Sequence, residues 1–445
     1  MLKYKIKTYH KAVDFIESLA NISAMEGRTK KRAEEHVKKV RDFLRFLGNP
    51  EKKLKIIHIA GTSGKGSVAA MLQNILSSAG HKTGLYTSPH TTTYCERIKV
   101  GEKYINEKDL VELVNFLKNK MDVSGTSLNF FEFTFIIAIL YFKKMKCKHA
   151  VIETGMGGRR DATNAIKNPV YTIITNIGRD HLDIIGPTLA DVAKEKAGII
   201  KRGTPLLTGE KRKKILKIFI KKCRMQNAEC RMAEHKNLKN IKTDLDGTEF
   251  EYKKEHYKLR LLGDHQAKNA ALAIECAKDL RVPPAAIKKG LLATQYSARL
   301  EVVSKKPLII IDGAHNDDKL KAGLDFLTTS YKLQATSYLI IAMSKNKKVK
   351  ILSEFFQHFD KIYLTRFRNP FRKCRSRADW LNSVPKAARK KTKYFHLAKD
   401  ALLDILPRLR NNDLLMITGS IFLAGELREY WYPEEQIIKL RKSTF

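Results

Sequence analysis

The sequence predicts an α/β fold in two domains, each built on a mainly parallel sheet with helices between its strands. Three observations predict it. Short apolar runs rich in β-branched residues alternate with helix-spaced apolar patterns along most of the 445 residues. Several of those runs end in polar residues, at the strand ends where an open parallel sheet takes its ligand. A glycine-rich turn, Gly61-Thr62-Ser63-Gly64-Lys65-Gly66-Ser67, stands between the first run and a helix pattern. Strand, glycine turn and helix together surround phosphate oxygens with backbone N–H groups at a helix N-terminus.

Taken in order, residues 1–50 read as mostly helical, from the spacing of Val13, Ile16 and Leu19 and again of Val40, Phe43, Leu44 and Leu47. The first strand is the apolar run that leads into the turn. Val68, Met71, Leu72, Ile75, Leu76 and Ala79 then recur at helical spacing until Gly80 stops the helix. A second strand is predicted over 82–87, helices over 110–117 and 132–142, and strands over 150–153, 172–175 and 205–208. Residues 244–262 alternate polar and apolar about Asp246-Gly247, which predicts a hairpin with Gly247 in its turn. Residues 263–280 read as a loop and a helix. A second series begins near residue 300, with strands over 308–311, 338–342, 361–364 and 414–418. The boundary is placed near Ser297, giving domains 1–297 and 298–445.

Composition narrows the function classes. No run approaches the roughly 20 apolar residues that span a bilayer, and the first residues have no apolar stretch of signal-peptide type. Six cysteines, Cys95, Cys147, Cys223, Cys230, Cys276 and Cys374, include no C-x-x-C pair. Neither a zinc site nor a disulfide framework is therefore expected, and a reducing cytoplasm is the expected compartment. The net charge is +39, from 85 basic and 46 acidic residues. Such a charge attracts polyanions. It is nevertheless spread over 28–32, 211–222, 345–350, 366–377 and 386–393 rather than set in one stripe with interleaved aromatics. A lysine-rich solvated surface is the favoured reading, and no specific nucleic-acid partner is expected.

The turn and the strand ends carry the candidate chemistry. Lys65 would neutralise β/γ-phosphate charge and Ser67 would offer a hydroxyl to Mg²⁺. The usual Walker spacing is not kept, since Gly66 follows the lysine and Ile59 stands five places before Gly64. Ser88 follows the second strand. Glu153 ends the 150–153 strand and opens a glycine-rich loop, T-G-M-G-G-R-R-D-A-T-N, over 154–164. Asp180 and His181 follow the 172–175 strand. If these strands are parallel neighbours, Ser67, Ser88, Glu153 and His181 converge as a hydroxyl, carboxylate and imidazole set suited to one or two Mg²⁺ ions. Thr188 and Asp191 form a capping pair before a helix over 189–198. From spacing alone, Lys196 within it reads as a solvated lysine.

Eight motifs occur in order: G-T-S-G-K-G-S (61–67), T-S-P-H (87–90), E-T-G-M-G-G-R-R-D-A-T-N (153–164), D-H-L-D-I-I-G (180–186), E-K-A-G-I-I-K (195–201), H-Q-A-K-N-A (265–270), A-R-L-E (298–301) and D-G-A-H-N (312–316). Together they resemble the folylpolyglutamate synthase and dihydrofolate synthase family, a branch of the Mur ligase superfamily, over about residues 45–325. I-T-G-S at 417–420 is a weaker echo. The resemblance implies a P-loop-type ATPase domain of the Mur ligase central kind, with a small β element, and a Rossmann-like C-terminal glutamate ligase domain. It implies an ATP-dependent C–N ligase in which a folate or dihydropteroate carboxylate attacks the γ-phosphate. The resulting acyl phosphate then receives the amine of L-glutamate.

Carried over by position, Gly61, Thr62, Ser63, Gly64, Lys65, Gly66 and Ser67 hold ATP, with Asn269, Arg299, Asp312 and His315. Ser67, Ser88, Glu153 and His181 match Mg²⁺ ligands at two positions, with K⁺ as a further cation. Lys196 matches a lysine that is carbamylated in many members and would then serve the second metal. Lys65, Glu153, His181 and Lys196 form the catalytic group. Phe130, Phe131, Phe133, Arg159, Asp161 and Ala162 align with the pterin-holding region. A cytoplasmic monomer acting on small molecules is expected. The chain departs from the family pattern at Ser63, where Asn is usual, at Asp317, where Pro is common, and at 344–347, where S-K-N-K replaces an acidic segment. The pterin-contacting loop of the N-terminus is not recognisable around 24–30.

Within this reading G-G-R-R-D-A-T-N favours a bifunctional enzyme, and polyglutamylation alone is the alternative. A Mur-type cell-wall ligase would call for a further N-terminal UDP-binding domain and a D-Y-A-H-like motif, whereas about sixty residues precede the turn. A basic nucleic-acid-binding NTPase is the reading from another class, and it predicts ATP hydrolysis stimulated by nucleic acid.

Overall fold

In the computed structural model, which describes residues 5–20, 30–179, 182–330, 335–347, 349–369 and 372–444, the chain divides into two compact units. The first comprises Met1–Asn237, Lys268–Ala293 and Ile438–Lys442. The second comprises Leu238–Ala267, Thr294–Ile437 and Ser443–Phe445.

The first unit is organised by an eight-stranded sheet. Its strands are β1 (Lys55–Ala60), β2 (Thr83–Tyr86), β3 (Ile98–Val100), β4 (Lys103–Tyr104), β5 (His149–Glu153), β6 (Tyr171–Ile174), β7 (Leu206–Thr208) and β8 (Cys230–Met232), in the order β4-β3-β2-β5-β1-β6-β7-β8. All neighbours are parallel except β2–β3 and β3–β4. After an exposed Lys55, β1 runs I-I-H-I-A fully buried, as a strand covered on both faces must. After β1 the chain returns on one side of it as β2 and β5, then crosses to the other side as β6. The carboxyl end of β1 is therefore the point where the winding reverses, which is where open α/β sheets take their ligands.

Helices α1 (Tyr9–Ser18), α2 (Lys30–Phe46), α3 (Lys65–Ser78), α4 (Glu107–Ser124), α5 (Phe130–Lys144), α6 (Leu189–Lys196), α7 (Asp264–Asp279) and α8 (Pro284–Leu292) accompany this sheet, α7 beginning in the second unit's segment. α5 is buried from Glu132 to Phe142. Its start is fixed by a capping box between Asn129 and Glu132, and Glu132 is also paired with His36 at 2.9 Å and Lys39 at 2.7 Å. The expected Thr188–Asp191 capping box opens α6. Ile438, near the C-terminus, packs against the same core, and the Tyr104 N–H donates to Arg441 O at 3.0 Å. Among the described residues no helix is long and apolar enough to cross a membrane.

The second unit holds two sheets. β9 (Leu238–Asp244), β10 (Gly247–Tyr252) and β11 (Glu255–Leu259) form an antiparallel meander. Its first turn is made by Leu245 and Asp246, and Gly247 begins β10 instead. The glycine is needed there because a Cβ would lie 2.0 Å from Leu259 O. The larger sheet has strands β12 (Glu301–Lys305), β13 (Leu308–Ile311), β14 (Ser337–Ile341), β15 (Lys361–Leu364), β16 (Thr392–Tyr394) and β17 (Leu414–Thr418), in the order β12-β13-β17-β14-β15-β16, antiparallel only between β12 and β13. Alternate residues of β13 feed two cores. Leu308 and Ile310 join Phe355, Phe356 and Trp380, while Ile309 and Ile311 join Leu402, Ile405 and Leu423. That is the period of two expected of a strand between helical layers. Helices α9 (Asp317–Asp325) and α10 (Ile421–Arg428) belong to this unit.

Candidate active site

The glycine turn leaves the carboxyl end of β1 between β5 and β6. Gly61 has φ 152°, and a Cβ on it would lie 1.8 Å from Thr175 Oγ1. The Thr175 hydroxyl instead donates to Ser63 O at 2.6 Å. Asn176 braces the turn twice, its carbonyl accepting from Thr62 N at 3.0 Å and its Oδ1 from Ser63 N at 2.9 Å. Thr62 Oγ1 accepts from Gly178 N at 2.8 Å. Gly64 is left-handed, φ 81°, with Asn269 Oδ1 where its Cβ would be. α3 starts at Lys65 without a side-chain cap. The N–H groups of its first turn have no acceptor inside the helix, and the positive end of the helix dipole lies with them. Ser67 is buried in that turn, and the buried Ser63 Oγ has no hydrogen-bond partner. Backbone and hydroxyl donors thus surround a place fitted to phosphate.

Charge is concentrated at the same point. Lys65 Nζ donates to Gly61 O at 3.1 Å and lies 3.9 Å from Glu153 Oε1. Lys196 Nζ donates to the same carbonyl at 2.8 Å. Lys196, which reads from spacing as solvated, is 5% exposed. Glu153, the last residue of β5, is buried, and its Oε2 accepts from Ser88 N at 3.1 Å. A buried carboxylate between an ammonium and a backbone N–H, with the Ser67 and Ser88 hydroxyls in the neighbouring segments, is an oxygen donor set of the kind Mg²⁺ takes.

The 154–164 loop is clamped from two sides. Asp161 Oδ2 accepts from Met156 N at 2.9 Å, and Oδ1 from Thr163 N at 3.0 Å and Thr163 Oγ1 at 2.6 Å. Burial raises this carboxyl above its ordinary range, against those hydrogen bonds. Asp161 therefore caps the turn that holds the buried Ala162. On the other side Glu195, at the end of α6, accepts Arg160 N on Oε1 and Arg160 Nε on Oε2, both at 2.9 Å, and its carbonyl accepts Arg159 N at 2.8 Å. The Arg159 side chain is half-exposed. Beneath the loop, His58 of β1 bonds to Thr163 Oγ1 at 2.8 Å, and burial, with Lys201 nearby, pushes its pKa down to about 3.

Of the aromatic candidates, Phe131 lies against Gly155 and meets Tyr86 edge-on. Phe130 meets Tyr94 at right angles, with the buried Arg97 guanidinium 5.2 Å from its ring centre and 5.3 Å from that of Tyr94. Arg97 Nε donates to His90 Nδ1 at 2.9 Å. Phe133 is fully buried in the core, facing Phe15.

Arg299, Asp312 and His315 belong to the second unit. Ala298 and Leu300, on either side of Arg299, have φ 51° and 47°. Glu301 holds this strained turn by accepting Ala298 N at 2.9 Å, and is itself gripped by the fully buried Arg428 at 2.8–3.1 Å. Arg299 stacks over Tyr296. Asp312 accepts from Leu300 N, and burial lifts its pKa to about 6 although Arg299 opposes the rise. His315 Nδ1 bonds to Gly313 O at 2.9 Å, and its Nε2 is 3.2 Å from Lys319 Nζ.

The geometry thus brings together Gly61 to Ser67, Ser88, Glu153, Lys196 and Asn269 in one unit. It places Phe133 in the core and turns the Asp161 carboxylate into its own loop. His181 lies outside the described residues. Thr175, Asn176, Glu195 and Arg97 were not singled out by sequence reasoning. The first two stand at the end of a predicted strand, so the strand-end rule could have found them.

Residues 59–277 match the Mur ligase middle domain, and residues 298–421 the Mur ligase glutamate ligase domain. The chain is 29% identical to the dihydrofolate synthase/folylpolyglutamate synthase of Bacillus subtilis, covering 92% of this chain and 97% of the relative. It is 31% identical to the folylpolyglutamate synthase of Lacticaseibacillus casei, covering 88% and 93%. Its structure is similar to that of Mycobacterium tuberculosis folylpolyglutamate synthase complexed with ADP and AMPPCP, with a TM-score of 0.80 at 26% identity over 89% of this chain and 95% of that one. The chain belongs to the folylpolyglutamate synthase and dihydrofolate synthase family of the Mur ligases.

Proposed function

We propose that this enzyme joins L-glutamate to the carboxylate of a folate or a dihydropteroate at the expense of ATP. The observation that carries the reading is the convergence of Lys65, Lys196 and Glu153 on the Gly61–Ser67 turn at the reversal point of the sheet. The substrate carboxylate oxygen bonds to the γ-phosphorus and the bond to ADP breaks, leaving an acyl phosphate. The glutamate amine then attacks the acyl carbon, loses a proton, and inorganic phosphate departs. The first step sets anion against anion. The helix N-terminus and Lys65 offset that repulsion, positioning supplies much of the remainder, and Ser67, Ser88 and Glu153 would hold a metal beside them. Mg²⁺ bound there would supply further positive charge to the reacting anions. The relative complexed with ADP and AMPPCP supports a nucleotide at this turn.

Residues 1–297 act as the ATP-binding domain and residues 298–445 as the glutamate ligase domain, a division supported by the two domain matches. Arg299, Asp312 and His315 serve the nucleotide, and the strained turn around Arg299 keeps that residue pre-organised. Phe130, Phe131 and Arg159 serve the pterin. Carbamylation of Lys196 would convert a buried ammonium at Gly61 O into an anion for a second metal. Both activities are favoured over polyglutamylation alone, on the G-G-R-R-D-A-T-N loop and on the name of the Bacillus subtilis relative.

The test is glutamate-dependent ADP release from ATP and Mg²⁺ with dihydropteroate in one arm and tetrahydrofolate in the other. Turnover in both arms is expected. Turnover in the second alone removes the dihydrofolate synthase activity, and none in either removes the proposal.

A further inference from the structure

The loop after β14 and the segment after β15 are tied together. Ser344 and Cys374 form an antiparallel bridge, Lys345 N donates to Lys373 O at 2.9 Å, and Arg375 N donates to Met343 O at 2.8 Å. Both segments leave the carboxyl ends of parallel neighbours in the larger sheet of the second unit, an edge where such sheets take ligands. The tie gathers six cations: Lys345, Lys347, Arg366, Lys373, Arg375 and Arg377. Arg366 and Arg377 both act on the Tyr394 hydroxyl, and Arg366 acts on the Cys374 thiol, so the arginines belong to the same cluster. Lys345, Arg366, Lys373 and Arg377 are exposed. Asp379 lies near Lys345 and Arg375, and its Oδ2 is taken by Ser376 N and Oγ at 2.8 Å each.

Arg375 is the second, independent sign of a ligand. It is 7% exposed, its Nη2 donates to Lys347 O at 2.7 Å, and its guanidinium lies 4.9 Å from the Trp380 ring centre. Its buried Nη1 has no hydrogen-bond partner. A buried guanidinium donor left unsatisfied costs free energy that an anionic acceptor would return. The loop itself, residues 344–347, reads S-K-N-K and carries no acidic residue.

We propose that this cationic platform binds an oligocarboxylate, the γ-linked glutamate tail of the folate. The assignment rests on the ligase reading above. A chain of single carboxylates fits a cluster of cations with little aromatic surface. Single-stranded nucleic acid requires rings on which bases can stack, and here Trp380 is fully buried beneath Arg375. Each added glutamate brings one more carboxylate, so retention rises with tail length.

The test uses free γ-linked tri- and hexaglutamate without a pterin, titrated calorimetrically into the whole protein at about 50 mM and about 300 mM salt. Hexaglutamate is expected to bind several-fold more tightly than triglutamate, and more weakly at the higher salt. Lys345→Glu with Lys373→Glu and Arg377→Glu should weaken hexaglutamate by about tenfold or more while leaving ligation to a monoglutamyl substrate unchanged. Absence of hexaglutamate binding to the parent, or equal binding to the variant, overturns the platform, as does tighter binding of hexathymidylate. The parent's length series needs no variant to fold. Hexaglutamate binding with no ligation of any substrate would support the platform and sink the ligase reading instead.

Discussion

Two ammonium groups share one acceptor at the phosphate turn, since Lys65 and Lys196 both donate to Gly61 O. One buried carboxylate, Glu153, stands beside them. Lys65→Ala removes charge from the place where anions must meet, and the expected loss in turnover is about a hundredfold or more, the scale of deleting a charge-stabilising donor. Glu153→Gln keeps the shape and an acceptor for Ser88 N but not the charge, and a loss of the same order is expected. Steady-state ADP release measures both, and a near-normal rate for Glu153→Gln would remove that residue from the metal set. A second residue makes a prediction in pH. Burial holds the Asp312 carboxyl up at about 6, from 3.8. Between about pH 4 and pH 6 the native state therefore keeps a proton that the unfolded chain has released. The group's contribution is favourable below that window and is lost as pH rises through it. Asp312→Asn is insensitive, so it should gain roughly 2–3 kcal/mol relative to the parent between pH 4 and pH 7. Urea unfolding at the two pH values reads the difference, and an equal offset at both would refute it.

At the scale of elements, the glycine-rich loop and α6 act as one piece. A Cβ on Gly158 would lie 2.8 Å from Glu195 O and 2.9 Å from Lys196 O, both backbone atoms. Gly158→Ala must push the loop off the helix that presents Lys196. A cost of about 1–3 kcal/mol is expected, with reduced turnover. Thr188→Ala at the far end of α6 removes only its cap, at about 1 kcal/mol, and should leave turnover near normal. If the two variants lose activity equally, the coupling of loop to Lys196 is wrong. These contacts also mark what sequence can show. β1, β5, β13 and β17 were legible because strands buried on both faces are written as unbroken apolar runs. β4, β8 and β16 were not, because short, partly exposed strands at or near a sheet edge carry no such run. β3 and β12 were also missed. Lys65, Ser88 and Glu153 were legible at the ends of predicted strands. Glu195 was not, because a glutamate on a helix reads as solvated until the fold folds a loop onto it.

For the molecule as a whole, the first unit is not contiguous in sequence. Its helices at 268–293 and its segment Ile438–Lys442 come after long stretches of the second. Arg441 accepts the Tyr104 N–H on its carbonyl and donates from Nε to Tyr104 O at 2.7 Å. Deleting residues 438–445 is expected to speed hydrogen exchange at the Tyr104 amide well above that of Ile57 in the sheet centre. Unchanged exchange there would show that the tie is not held in solution.

That tie also sets an order of assembly. During synthesis at roughly 5–20 residues per second, about 10–40 s separate the emergence of residue 237 from that of residue 438. The unit begun first stays incomplete until Ile438–Lys442 emerge. Through that interval the nascent β3–β4 hairpin stays an open edge, available to other strands, and a premature stop near the end of the message would leave it so for good.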